Sequence, residues 1–78
     1  MAIAGVLMKA ESARHEDLKR ELEKFSGVSW QQDTPEGDMI LLVEAANLKA
    51  LHKICQKLEK LDGALGVYPS YVTTADEQ

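Results

Sequence analysis

One heptapeptide of this chain recurs in closely similar form. Leu22-Glu23-Lys24-Phe25-Ser26-Gly27-Val28 returns as Leu58-Glu59-Lys60-Leu61-Asp62-Gly63-Ala64, 36 positions later. The same spacing pairs Val6-Leu7 with Leu42-Val43 and Leu18 with Ile54. Each copy reads as an apolar strand, an amphipathic helix, a glycine turn and a second strand. Two such halves in 78 residues leave few architectures, because every helix stripe must be buried against a sheet face. The solution is an α+β ferredoxin-like split βαβ sandwich (βαββαβ), a four-stranded antiparallel sheet with two helices on one face. Strand order 4-1-3-2 follows. The second face of such a sheet has no layer over it, and a function would sit there.

The spacing predicts strand one over 2–9 and helix one over 13–25. Ser12 is its N-cap, and His15, Leu18, Leu22 and Phe25 are its inward stripe. Strand two covers 28–33, with a bulge near Ser29. Thr34-Pro35-Glu36-Gly37 makes a turn, and strand three covers 38–45. Asn47 caps helix two, whose stripe is Leu48, Leu51, Ile54, Cys55, Leu58 and Leu61. Gly27 and Gly63 end the helices in the left-handed conformation. Strand four covers 64–72 and carries Pro69, which suits a sheet edge because proline has no N–H for a ladder. Residues 1–72 form a single domain, and 73–78 a flexible acidic tail.

Composition excludes several classes. The net charge is −4, and no Lys or Arg falls between Phe25 and Leu48, where Asp33, Glu36, Asp38 and Glu44 lie. The cations of helix two, Lys49, Lys53, Lys57 and Lys60, follow one solvated face. Without a basic groove, interleaved aromatics or a glycine-rich phosphate loop, nucleic acid is not a partner. The apolar start, Met1 to Met8, has no basic leader and is too short to span a bilayer. The chain therefore reads as cytoplasmic, with no membrane partner. A single cysteine, Cys55, forms no internal disulfide. His15 and His52 have no partner at metal-ligand spacing, and no nucleophile stands beside a base. Neither a metal, nor a cofactor, nor an enzyme activity is expected.

The open face carries what signal there is. Strands one and three are apolar on both faces, whereas a half-solvated sheet normally alternates. Transferring the repeat to the strands groups Ile3, Gly5 and Leu7 with Met39, Leu41 and Val43. Ala4, Val6 and Met8 then group with Ile40, Leu42 and Glu44. Only the second set holds a charge, so it is assigned to the open face, with Asp38 at its edge. Small residues at Ala4, Gly5, Ala64 and Gly66 would admit a close backbone. Trp30 is either a core residue or an aromatic wall of this face. An exposed apolar patch marks a binding surface for a peptide or partner, or for a weak homodimer.

The run Ile3-Ala4-Gly5-Val6-Leu7, the segment Leu42-Val43-Glu44-Ala45 and the close from Leu61 to Tyr71 together resemble the NapD family, small chaperones of periplasmic nitrate reductase assembly. The resemblance spans about Ile3 to Tyr71 and departs from the family pattern over Pro69-Ser70-Tyr71-Val72. It implies a cytoplasmic protein that binds the twin-arginine signal peptide of the nitrate reductase catalytic subunit, or of a related molybdoenzyme. Export would then wait for cofactor loading. On that reading the peptide lies as a helix against Val6, Met8, Trp30, Ile40 and Leu42, and Asp38 and Glu44 meet its arginines. The competing reading is an ACT-like small-molecule-binding regulatory module, which shares the topology.

Overall fold

The structure, a computed structural model, describes residues 1–73. Strand β1 (Ala2–Ala10) leads through a short 3-10 turn (Ser12–Arg14) into helix α1 (His15–Leu22). Strands β2 (Val28–Asp33) and β3 (Met39–Ala45) follow, then helix α2 (Leu48–Glu59) and strand β4 (Ala64–Thr73). The sheet order is β2-β3-β1-β4 with every neighbouring pair antiparallel. This is the ferredoxin-like topology that the repeat requires. Residues 74–78, the greater part of the predicted tail, lie outside the described residues. Thr73 belongs to β4 rather than to a tail, and its hydroxyl donates to the Ile3 carbonyl at 3.4 Å.

The core forms where helix stripes meet one sheet face. Leu18 and Leu22 of α1 and Leu51, Cys55 and Leu58 of α2 are buried against Val6, Met8, Met39, Leu41 and Val43. Ile54 and Leu61 pack at its margin. Burial also raises the Cys55 thiol pKa, with help from the nearby Glu59 charge. That holds the sulfur in its neutral form.

The two helix starts differ. Asn47 caps α2, its Oδ1 accepting the Ala50 N–H at 2.8 Å. Ser12 does not cap α1. The chain instead makes a 3-10 turn in which Arg14 N–H donates to the Glu11 carbonyl at 2.9 Å. The Arg14 side chain lies across Gly63, pairs with Asp62, and reaches Asp17 at 3.6 Å. A Cβ at Gly63 would stand 2.6 Å from Arg14 Cβ, and φ there is +95°, so this position needs glycine twice over. Helix α1 ends before Phe25, because the last N–H groups turn to carbonyls three residues back. Leu48 opens α2 but stands 38% exposed, off the predicted stripe.

Both edge strands carry irregularities. In β2, Trp30 and Gln32 oppose the consecutive residues Leu41 and Ile40, so the extra residue is Gln31 rather than one near Ser29. In β4, Tyr71 and Pro69 oppose Gly5 and Val6, which leaves Ser70 between them. Its hydroxyl donates to the Gly5 carbonyl at 2.9 Å. Pro69 sits on an edge strand, the place in a sheet where proline is tolerated.

Candidate functional site

The β1–β3 register decides which residues reach the open face. Val6 faces Leu41, Met8 faces Met39, and Ala4 faces Val43. Opposed residues share a face, and all of these point at the helices. Val6 is 1% exposed and Met8 is fully buried, so neither lies on the open face, contrary to the pattern drawn from the repeat. The cause is phase. The repeat offset is even and preserves strand parity, but the spacing from strand to helix differs by one residue between the two halves. Val6 precedes Leu22 by 16 positions, whereas Leu41 precedes Leu58 by 17. A one-residue change between strand and helix moves every side chain of that strand to the other face. Ala4 is likewise core, and Ala64 opposes the buried Ala10.

The open face is built from the complementary set. Ile3 opposes Glu44, Gly5 opposes Leu42, and Leu7 opposes Ile40. On the other flank Leu7 opposes Tyr68, and Lys9 opposes Gly66. Ser29 and Gln32 of β2 border Leu42 and Ile40. Ile3, Leu7, Ile40 and Leu42 are half-buried, and Tyr68 is exposed. Together they form an apolar centre, with Glu44 beside Ile3 at one end and Lys9 at the other. A hollow of about 240 Å³ opens between Leu7, Ile40 and Ser70, with Val6 beneath. The side chain of Val6 faces the helices, so only its main chain can reach that hollow.

Of the residues marked from sequence, Ile40, Leu42 and Glu44 stand on this face, and Asp38 precedes Met39 at the Lys9 end. Trp30 does not join them. It opposes Leu41, which puts it on the helix side of the edge strand, 42% exposed. Lys19 Nζ lies 4.3 Å above its ring centre. Its indole N–H donates to Asp33 Oδ1 at 2.9 Å.

Asp33 is thereby committed to the fold. Besides Trp30 it meets Lys19 at 3.5 Å and His15 Nδ1 at 3.7 Å, while His15 Nε2–H donates to the Gly37 carbonyl at 2.6 Å. The indole hydrogen bond, reinforced by Lys19 and His15 and only partly opposed by desolvation, holds its carboxyl below the usual range. This cluster pins the β2–β3 hairpin to the start of α1. A groove of about 390 Å³ beside it, lined by Lys19, Leu22, Glu23, Val28, Ser29 and Trp30, lies on the helix side.

Ile3, Leu7, Tyr68 and Lys9 are the open-face residues that the repeat misplaced or passed over. One signal in the sequence reveals the three that lie in β1. Lys9 is the only charge in β1, as Glu44 is in β3. Assigning both charges to the solvated side gives the odd positions of β1 and the even positions of β3. Among the described residues no group of three or more His, Cys, Asp or Glu is placed to hold a metal ion, and no helix is long and apolar enough to cross a membrane.

An antiparallel split βαβ sandwich with one helix-covered face and one largely apolar open face defines a small domain of the ferredoxin-like class. The family model described as NapD protein matches residues 1–76, and the chain belongs to that family. Among solved structures it is similar to the solution structure of the Tat proofreading chaperone protein NapD of E. coli, with a TM-score of 0.82 and 23% sequence identity. That match covers 97% of this chain and 81% of the other, and it shows a shared fold. None of the curated proteins matches.

Proposed function

We propose that this chain is a cytoplasmic chaperone that binds the twin-arginine signal peptide of a periplasmic molybdoenzyme, foremost the catalytic subunit of nitrate reductase, and delays its export until the cofactor is loaded. Family membership supports this reading, as does the likeness to a Tat proofreading chaperone. The observation that carries it is the open face, where Ile3, Leu7, Ile40, Leu42 and Tyr68 surround Gly5 and, among the described residues, no element lies over them. A signal peptide is basic at one end and apolar beyond it, and a helix with one apolar side can lie on such a surface. The protein acts as a binding domain rather than as a catalyst.

Magnitudes favour apolar contact as the main source of affinity. Roughly 400 Å² of apolar surface covered on each partner yields on the order of 20 kcal/mol at about 25 cal/mol per Å². Association removes about 4–15 kcal/mol, and ordering of side chains removes about 0.5–1.5 kcal/mol more for each one immobilised. The remainder is compatible with micromolar binding, which needs about −8 kcal/mol. An exposed carboxylate–arginine pair adds only ~0–1 kcal/mol, so carboxylates set orientation and encounter rate more than affinity.

A free amino acid, the ligand of the regulatory alternative, needs a compact polar pocket. The hollow on this face offers one hydroxyl, Ser70, which already donates to Gly5. Calorimetric titration with a synthetic twin-arginine peptide and with free amino acids separates the two. The chaperone reading requires heat from the peptide, which is lost when the peptide's apolar side chains are made polar. A response to amino acids alone would overturn it.

A further inference from the structure

The open face is electrically lopsided, and this has a consequence for how a peptide lies on it. Glu44 stands opposite Ile3, at one end, and makes no ion pair among the described residues. Lys9 lies on the same face at the other end, opposite Gly66. Asp38, next along β3 beyond Met39, is near that end and partly offsets Lys9. Ile3 and Lys9 are six residues apart along β1, about 20 Å at ~3.3 Å per residue. That length accommodates roughly 13 residues of helix at 1.5 Å per residue.

Building on the chaperone reading, we infer that the signal peptide binds in one direction, with its arginines at Glu44 and its helix running parallel to β1 toward Lys9. The hollow between Leu7, Ile40 and Ser70 then seats one apolar side chain of the peptide. Two terms, both resting on Glu44 and Lys9, agree on this direction. The arginines gain a carboxylate with no ion pair at the Glu44 end, whereas at the other end the Asp38 carboxylate stands beside the Lys9 ammonium. The helix itself carries a partial positive charge at its N-terminus and a partial negative charge at its C-terminus, which Glu44 and Lys9 complement in the same sense. The Glu44 and hollow positions differ by four residues along β1, or about 13 Å. Allowing for the reach of an arginine side chain, the seated residue lies roughly two helical turns beyond the arginine pair, at seven or eight positions. Tyr68, beside Leu7 on this same half, widens the apolar floor there.

The test uses the full chain, labelled with ¹⁵N, and a synthetic peptide of an arginine pair followed by an apolar run, carrying a nitroxide at one end or the other. The label at the basic end broadens the amides of Ile3, Glu44 and Ala45, and the label at the apolar end those of Lys9 and Gly66. Exchanging the charges, Glu44→Lys with Lys9→Glu, weakens or reverses this gradient, and Glu44→Lys alone lowers affinity by up to about fivefold. Aspartate at the seventh or eighth position after the arginines lowers affinity at least tenfold, and aspartate on the opposite helix face does not. Binding with a reversed or uniform gradient, or with no such position dependence, overturns this inference and leaves the chaperone reading intact. Absence of any peptide-dependent change overturns both.

Discussion

The ring of Tyr68 lies across Gly66, so closely that a Cβ at position 66 would stand 2.6 Å from the tyrosine oxygen and 2.7 Å from Cε2. The glycine lets a large aromatic ring settle along the strand on the open face, although the side chain remains 52% exposed. Gly66→Ala forces the ring away. Alanine is the better strand residue in backbone entropy, by roughly 0.5–1 kcal/mol, so the domain stays folded. The expected outcome is near-native urea stability with large shifts in the Tyr68 ring resonances and weakened peptide binding. An unmoved ring would show that the contact is not restrictive.

Leu41 and Leu42 are neighbours on opposite faces, and their truncations should separate stability from binding. Leu41 is 1% exposed in the core, so Leu41→Ala costs about 2–5 kcal/mol in urea unfolding. Leu42 is half-buried on the open face, and Leu42→Ala costs about 1 kcal/mol while it weakens peptide binding. Equal losses of stability would contradict the register.

Asp33 governs part of the acid response. Its folded carboxyl pKa is lowered, chiefly by the Trp30 hydrogen bond. A depressed carboxyl pKa means stability that is fully present above the unfolded value, near 3.9, and is lost as pH falls through the folded value. Asp33→Asn therefore flattens the loss of Tm below about pH 4, and Trp30→Phe flattens it in part. The site is surface-screened, so the effect stays below about 1 kcal/mol. An unchanged acid limb in both variants would show that the cluster contributes nothing.

Glu44 and Glu59 provide a contrast across the molecule, one on the open sheet face and one on α2. Both are exposed, so neither charge reversal unfolds the domain. Glu44→Lys reduces affinity for a twin-arginine peptide, mainly through a slower association rate that converges with wild type at high salt. Glu59→Lys leaves binding unchanged in surface plasmon resonance. Equal effects would indicate a peptide held elsewhere.

The repeat made the fold legible because its period spans a whole strand–helix–strand unit, and local features such as Asn47 and Pro69 agree with it. The face of β1 was not legible by the same route. Strand phase has a period of two, and a one-residue difference in strand-to-helix spacing changes it without disturbing the heptapeptide match. Ser12 looked like a cap because serine often is one, yet the chain uses main-chain bonds and Arg14 there. Trp30 was ambiguous for a related reason, since its face depends on whether a bulge precedes or follows it. The structure puts the extra residue after it, at Gln31. Tyr68 and Leu7 meet only through the β1–β4 pairing, a contact between the two ends of the chain that no local pattern encodes.

The central claim is that the uncovered sheet face holds a twin-arginine signal peptide. Amide-shift titration of the ¹⁵N-labelled chain tests it most directly. The account predicts saturable shifts at Ile3, Leu7, Ile40, Leu42 and Glu44, with Lys53 and Lys57 of α2 unmoved. Shifts centred on the helices, or none at micromolar to millimolar peptide, would contradict it.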